Sequence, residues 1–184
     1  MGRALEYSNK SDEELMALIA QRDYDAVATM VSRHQRGLLN LFYRYTNDRL
    51  LAEDLAQEVF LRVYKSAPLY ESRSLFKVWL YRIAKNVCLN ELKTLQVFEK
   101  LPEQKAETES PQEEMIQAER EIRVRQAIEM LPERQKLALI LRRFQGLSQE
   151  ETAEVMEATS EAIEGLLTRA KARLRLALAD LQPG

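Results

Sequence analysis

The sequence predicts an all-α protein of two small helical domains joined by a flexible acidic linker. Apolar residues recur at three- and four-residue steps through most of the chain, the period of an amphipathic helix. Five glycines and five prolines leave few places for the tight turns of a sheet. The middle segment, residues 95–114, contains two prolines and an excess of glutamate, which is linker composition. We therefore expect one domain over residues 1–94 and another over residues 115–184.

Helix signals follow one another through the first domain. Ser11 and the acidic residues after it form a capping box before LMALIA, and helical spacing continues through AVATMVSRHQRGLLNLFYRY. A further helix fits LLAEDLAQEVFLRVYKS and should stop at Pro68. After the loop PLYESRS, the last helix of this domain is expected from Leu75 to about Leu95.

The second domain has the layout of a helix-turn-helix. One helix should run through IQAEREIRVRQAIEML, and Pro132 stands where a first-turn proline opens the next. Gly146 is expected to end that helix, and Ser148 begins a second capping box for QEETAEVM. Thr159 can cap a last helix that runs from Ser160 to about Leu181. A short helix, a tight turn and a longer basic helix indicate DNA binding.

Several functional classes find no support in the composition. One cysteine and one histidine exclude a disulfide framework within the chain and a multi-cysteine metal site. No apolar run approaches the roughly 18 residues of a membrane span, and the first residues lack the apolar core of a secretion signal. There is no glycine-rich phosphate loop or nucleophile motif. We expect a cytoplasmic protein without membrane insertion that is not an enzyme and needs no cofactor, metal or small-molecule substrate.

The overall charge of −2 conceals an uneven distribution. Residues 1–94 carry 14 basic and 12 acidic groups, residues 95–114 carry 2 and 6, and residues 115–184 carry 11 and 11. Because the acidity is concentrated in the linker, the average does not argue against nucleic-acid binding by the domains.

The helix within KVWLYRIAKNVCLNELK, residues 77–93, places a polar stripe about 80° wide beside Trp79 when residues are spaced 100° apart. The stripe contains Arg82, Asn86, Asn90 and Lys93. Asparagine can read base edges, and arginine and lysine neutralise phosphates. Residues 62–93 carry seven basic and two acidic groups among aromatic residues on which bases can stack. Composition alone leaves a solvated helix face equally open.

A second arc of the same helix, with Leu80, Ala84, Val87 and Cys88, should face the core. The preceding helix carries Asp54, Gln57 and Glu58 on one face at i, i+3 and i+4. Carboxylates there would repel DNA, so a functional role requires a basic protein surface. A solvated face is the simpler interpretation of this second pattern.

The last helix combines cations suited to phosphate contact with a polar first turn that could meet base edges. The alternative is a polar-faced bundle helix. The residues concerned are Thr159, Ser160, Glu161, Glu164, Thr168, Arg169, Lys171 and Arg173, followed by Arg175.

Three motifs in this order resemble the extracytoplasmic-function (ECF) sigma factors, the small two-domain initiation subunits of bacterial RNA polymerase. DLAQEVFLRVY is similar to a region-two segment, and WLYRIAKNVCLNELK to the promoter-melting helix. LPERQKLALILRRFQGLSQEETAEVM with LLTRAKARLR is similar to region four. The resemblance extends over nearly the whole chain.

The resemblance implies roles for the residues already described. The face with Asp54, Gln57 and Glu58 would dock on the clamp helices of the largest polymerase subunit, and the second domain would also meet the flap. Trp79 and the polar stripe would hold the minus-ten element, while the linker would thread the polymerase near its active centre. The loop before that helix would pocket a base flipped from the non-template strand, through Tyr70, Ser72, Arg73 and Ser74.

The helix after Thr159 would read the minus-thirty-five element, but two features depart from the family pattern. The preceding turn has Glu157-Ala158 where the family usually has Gly and an apolar residue, so it lacks the residue best suited to a left-handed backbone. The first two helical turns lack cations, and Gly165 interrupts the helix.

Two further interpretations stay open beside promoter recognition under anti-sigma control of a stress or envelope regulon. The chain could be a sigma-like decoy that titrates an anti-sigma factor without reading DNA, which the glutamates of the last helix favour. It could also be a simple helix-turn-helix repressor that binds duplex DNA without polymerase.

Overall fold

The protein is described by a computed structural model over residues 6–95 and 112–179. The predicted all-α class is confirmed, and no strand occurs in those two ranges. A 3₁₀ turn, Ala67–Leu69, contains Pro68 and follows the third helix. The α-helices are α1 (Asp12–Ala20), α2 (Tyr24–Thr46), α3 (Arg49–Ser66), α4 (Phe76–Leu95), α5 (Gln112–Glu129), α6 (Glu133–Arg143), α7 (Gln149–Met156) and α8 (Ser160–Ala177).

Local signals fix three helix starts where the sequence predicted them, whereas Pro132 is the N-cap of α6 rather than a residue of its first turn. Both capping boxes form: the Ser11 hydroxyl accepts from the Glu14 amide, and the Ser148 hydroxyl accepts from the Glu151 amide. The Thr159 hydroxyl accepts from an amide in the first turn of α8. These side chains satisfy amides that a helix cannot pair internally.

Packing of α1 to α4 builds the first half of the molecule. Helix α3 packs against both α2 and α4, and α1 packs on α2 and on the 3₁₀ turn. Leu38, Leu41 and Phe42 of α2 are fully buried, and Val59 of α3 and Phe76 of α4 join the same core. Each large side chain buried in this way contributes about 1.5–3 kcal/mol to folding.

The second half continues that core. Helices α6, α7 and α8 pack on one another, and α7 also packs directly on α4. One apolar cluster contains Ala84 and Cys88 of α4 together with Ile140 of α6, Val155 of α7 and Ile163 of α8. The helix-turn-helix thus closes over the last helix of the first half, an arrangement that local sequence patterns did not indicate.

Some predicted boundaries differ from the structure. Helix α5 begins at Gln112, three residues before the expected start of the second domain, and α8 ends at Ala177 rather than near Leu181. The linker prediction lies largely on residues 96–111, outside the described residues. Across the described ranges, no helix is long and apolar enough to cross a bilayer, and no cluster of three candidate metal ligands forms.

Candidate nucleic-acid interface

Helix α4 has the two faces that the sequence predicted. Leu80, Ala84 and Val87, with Cys88, are at most 3% exposed and pack into the core. Asn86 and Asn90 are exposed on the other side. The side chain of Lys93 lies outside the described part of the molecule. Burial raises the pKa of the Cys88 thiol, which makes this side chain a packing residue and a poor nucleophile.

Trp79 is half-buried in a cluster of aromatic rings at the start of α4. Its ring centroid lies 4.8 Å from that of Tyr70 in an edge-to-face arrangement and 5.6 Å from that of Phe76. Tyr70 and Phe76 are themselves 6.1 Å apart, and burial raises the pKa of the Tyr70 hydroxyl. The cluster therefore fixes the loop before α4 against the helix and leaves part of the indole accessible.

The remaining loop residues are polar and exposed to different degrees. Ser72 and Arg73 are exposed, whereas Ser74 is half-buried. The Arg73 guanidinium donates to the Glu71 carboxylate at 2.7 Å. A carboxylate oxygen of Glu13 accepts from the Phe76 amide at 3.3 Å, so α1 caps the N-terminus of α4 from a distance in sequence. The loop and helix are thus held together before any ligand binds.

Arg82, the one cation of the stripe whose side chain is described, is engaged by the second half. Its guanidinium donates to the Glu154 carboxylate of α7 at 3.0 Å, although the two residues are 72 positions apart. One turn along, the Lys85 ammonium donates to the Glu157 carboxylate at 2.6 Å. Two acidic side chains of the helix-turn-helix therefore face two cations of α4.

Sequence patterns did not indicate a role for Lys85 or its partners. Lys85 lies on the helix between the core arc and the polar stripe, and its side chain is only 6% exposed. A lysine next to the apolar arc is the signal that could have drawn attention to it. Nothing local indicates that Glu154 and Glu157 would be its neighbours, because their approach depends on how the two halves pack.

Glu157 has a left-handed backbone, with φ of 51°. The sequence lacks the family's usual glycine in this turn, and the structure confirms that the backbone conformation here is one that glycine adopts most easily. The hydrogen bond and the charge of Lys85 lower the pKa of the Glu157 carboxyl, and Arg82 lowers it further. Glu157 is therefore ionised at neutral pH and attached to α4.

Polar contacts beside these ion pairs also join the halves. The Tyr81 hydroxyl lies 2.8 Å from the side-chain amide of Gln145, and the Lys77 ammonium donates to the Gln145 carbonyl at 3.0 Å. The Lys136 ammonium donates to the Tyr45 carbonyl at 3.3 Å. Burial raises the pKa of Tyr81 to about 12, so its hydroxyl stays protonated. These buried polar groups give the packing of the two halves a definite register.

The acidic face of α3 is on the surface. Asp54 and Gln57 are exposed, and the half-buried Glu58 carboxylate accepts from Arg62 at 2.7 Å. Leu50 and Leu61 on the same helix are 74% and 53% exposed. At 100° per residue, Leu50, Asp54, Gln57 and Leu61 fall within about 60° of arc. We call this stripe the α3 face; it has apolar ends and an acidic centre.

The face of α8 predicted to contact DNA is exposed along its length. Ile163 and Ala170 anchor the opposite side in the core. Ser160 is half-buried and Thr159 is exposed at the cap. A Cβ added to Gly165 would lie 3.6 Å from the Arg169 guanidinium, an ordinary contact. The other exposed residues of the predicted face are Glu161, Glu164, Thr168, Arg169, Lys171 and Arg173.

The chain matches two family models: Sigma-70 region 2 over residues 30–97 and Sigma-70, region 4 over residues 121–174. It is 32% identical over 188 residues to the RNA polymerase sigma-H factor of Pseudomonas aeruginosa, an alignment that covers 95% of this chain and 97% of the relative. It is 33% identical over 175 residues to the ECF RNA polymerase sigma-E factor of Haemophilus influenzae, covering 88% of this chain and 92% of the relative.

Two solved structures share the fold. CnrH, solved in complex with the cytosolic domain of CnrY, gives a TM-score of 0.71 at 24% identity and covers 95% of this chain and 100% of CnrH. The sigma factor RpoE from Bartonella quintana, solved with the anti-sigma factor NepR, gives a TM-score of 0.64 at 21% identity and covers 83% of this chain and 96% of RpoE. Because the first match extends over nearly the whole chain, it includes both halves of the molecule.

Proposed function

This chain belongs to the extracytoplasmic-function sigma factors of the sigma-70 family and directs RNA polymerase to promoters, and we propose that α4 is the element with which it melts them. The observation that carries this proposal is the division of α4 into a buried arc and an exposed face with Asn86 and Asn90. Short amide side chains on a helix anchored from behind can bind the edges of unpaired bases without a large loss of side-chain entropy.

The pocket for a flipped base would lie between the loop and the first turn of α4. Tyr70 offers a ring that is already fixed against Trp79, and Ser72 and Arg73 offer donors on the exposed rim. Unstacking a base costs a few kcal/mol, and a ring held in place can return part of that by stacking. Asn86, Asn90 and Lys93 would then hold the next nucleotides of the minus-ten element.

We place the contact with core polymerase on the α3 face. Asp54 and Gln57 are exposed between Leu50 and Leu61, and this combination fits a partner helix pair with basic and apolar side chains. Two leucines that remain in water on one helix face are costly in the free protein and become favourable when a partner covers them. The clamp helices of the largest subunit would be that partner.

The second half would bind the minus-thirty-five element through α8. Arg169, Lys171 and Arg173 supply phosphate contacts in its middle turns, and Thr159 and Thr168 offer hydroxyl groups. Glu161 and Glu164 would have to accept hydrogen bonds from cytosine amino groups, the base-edge donors that suit carboxylates. The flap of the polymerase would hold this half at the required distance from α4.

We also propose an anti-sigma partner. CnrH and RpoE were solved with CnrY and with the anti-sigma factor NepR, respectively, and this chain shares their fold. A groove of about 520 Å³ lies between α2 and α5, lined by Tyr43, Val124 and Ile128 with Arg44 and Arg125 among its cations. An acidic amphipathic helix suits such a groove, because its apolar face and its carboxylates would both find partners.

The test is promoter selection with purified chain and core polymerase on genomic fragments. We expect start sites that core enzyme alone does not produce, preceded by a shared minus-ten and minus-thirty-five sequence. Asn86→Ala should reduce melting at these promoters at least about tenfold, the scale of one lost base-specific contact. Gln35→Ala, an exposed change within α2, is the matched control.

The decoy hypothesis keeps one observation in its favour, since Arg82 is paired with Glu154 rather than exposed to DNA. A decoy would produce no new start sites, and Asn86→Ala would leave its effect in cells unchanged. A repressor would shift duplex DNA in a gel without polymerase.

A further inference from the structure

Helix α1 contacts both ends of the loop that precedes α4. At one end it packs on the 3₁₀ turn that leads into the loop. At the other end the Glu13 carboxylate accepts from the Phe76 amide at 3.3 Å, at the first residue of α4. The loop of residues 70–75 is therefore held between two contacts with one helix, although 63 positions separate Glu13 from Phe76.

His34 of α2 supports the side chain of the same residue, Phe76. The two ring centroids are 5.3 Å apart and the planes are tilted by 52°, which is within the range of favourable aromatic pairs. Phe76 is 1% exposed, and its other ring neighbours are Tyr70 and Trp79, at 6.1 and 5.6 Å. The His34 side chain is only 15% exposed, so it supports this aromatic cluster from within the fold.

Asp12 of α1 fixes the orientation of His34. Its carboxylate lies 3.0 Å from the His34 Nε2 and 2.5 Å from an Arg33 guanidinium nitrogen. Burial by itself would raise the pKa of the Asp12 carboxyl, but the hydrogen bonds and charges of His34 and Arg33 lower it overall. Asp12 is therefore an ionised acceptor at neutral pH, and it holds the imidazole in one place.

We propose that Glu13 and His34, with Asp12 behind His34, are positioning residues for the base that is flipped from the promoter. None of the three touches the base. They hold Phe76, and through it the two other rings of the aromatic cluster, in the arrangement that receives the base. The inference rests on the base pocket proposed above.

The physical basis is conformational entropy. A loop whose two ends and whose rings are fixed when the chain folds loses little further entropy when a base enters. Loss of these supports should therefore weaken binding of the flipped base more than binding of its neighbours. A role confined to stability would instead lower the unfolding midpoint and leave base selectivity unchanged.

Two substitutions remove the support from different sides. Glu13→Ala removes the acceptor of the Phe76 amide, and His34→Ala removes the ring behind Phe76. Glu13→Gln keeps a carbonyl oxygen as acceptor and should behave like the parent. Asp23→Ala is the matched control for lost stability, because Asp23 caps the far end of α2 by accepting from two amides of its first turn.

Binding of single-stranded DNA by the full chain with core polymerase is the first measurement. The DNA carries the minus-ten sequence found by promoter selection, and abasic sites are introduced into it one position at a time. In the parent, loss of the flipped base should weaken binding by about tenfold, the scale of one stacked base. In both alanine variants this penalty should fall to about threefold or less, with the penalties at other positions unchanged. Glu13→Gln and Asp23→Ala should keep the parent's penalty.

Fluorescence of Trp79, the chain's one tryptophan, gives a second measurement on the free protein. The indole packs edge-to-face on Tyr70, so its exposure to a quencher depends on the order of the cluster. Acrylamide should quench the emission more strongly in Glu13→Ala and His34→Ala than in the parent. Glu13→Gln and Asp23→Ala should match the parent.

The outcomes separate this inference from the proposed function. A parent with the abasic penalty, beside alanine variants that keep it in full, overturns the positioning role and leaves the base pocket intact. An equal loss of the penalty in Asp23→Ala, or unchanged quenching in the alanine variants, also overturns it. A parent that binds every abasic DNA as well as the intact one removes the base pocket and the inference together. Where His34→Ala fails to fold, Glu13→Ala compared with Glu13→Gln decides.

Discussion

Alanine in place of two helical glycines should change stability in opposite directions. Gly37 lies within α2 and Gly165 within α8. A Cβ at position 37 would be 2.8 Å from the Tyr81 hydroxyl, closer than real side chains approach, and 3.6 Å from the Gln145 side chain. A Cβ at position 165 meets only the end of Arg169, at 3.6 Å.

The magnitudes follow from these distances. Replacing glycine by alanine inside a helix gains about 1 kcal/mol in intrinsic propensity. At position 165 nothing opposes that gain. At position 37 the Tyr81 ring is buried and must move, which adds about 1–3 kcal/mol of overpacking, and its 2.8 Å contact with Gln145 is lost at about 1 kcal/mol. Gly37→Ala should therefore lower the free energy of unfolding by about 1–3 kcal/mol in net terms.

Urea unfolding of both variants and the parent measures this difference. We expect a lower midpoint for Gly37→Ala and a higher midpoint for Gly165→Ala. Tyr81→Phe removes the hydroxyl and should relieve the clash, so Gly37→Ala should cost less in that background. Equal stabilisation by both glycine substitutions would refute the packing of α2, α4 and Gln145 described above.

Three other perturbations test separate parts of the structure. Ser148→Ala removes the α7 cap and should lower the free energy of unfolding by about 1 kcal/mol, and an effect no larger than that of exposed Ser72→Ala would contradict the capping box. Asp54→Arg should weaken binding to core polymerase at least about tenfold without changing the unfolding midpoint, and an equal loss in Gln35→Ala, on α2, would count against the α3 face. Lys85 lowers the pKa of Glu157, so the carboxylate stabilises the packing of α7 on α4 above its ordinary pKa of about 4.3, and this contribution is lost as pH falls through the lowered value. The free energy of unfolding should fall there more in the parent than in Glu157→Gln, and identical acid profiles would exclude the ion pair.

Helix positions and the two faces of α4 could be predicted because their signals are local. Capping boxes at Ser11 and Ser148 need only neighbouring residues, and the burial of Leu80 and Val87 follows from their spacing on a helix. The left-handed turn at Glu157 was also indicated locally, by the family pattern that has glycine there. Those features would be the same in many other tertiary arrangements of these helices.

The partners of the α4 cations could not be predicted. Arg82 and Lys85 each meet a carboxylate 72 residues away, and no periodicity in either segment relates them. The surroundings of Trp79 could be predicted only in part. Its position at the border of the two faces follows from helix geometry, whereas its contact with Tyr70 depends on the path of the loop before α4.

The sequence by itself determined the class of the fold, the family, the helices and the residue types available to DNA and polymerase. These depend on short-range periodicity, capping and motif order. Only the tertiary structure decided that the helix-turn-helix closes over α4, that Lys85 is buried, and that Arg82 is held by Glu154. The physical reason is that packing between halves is the sum of many weak apolar contacts distant in sequence, and the charges pair wherever that packing brings them together.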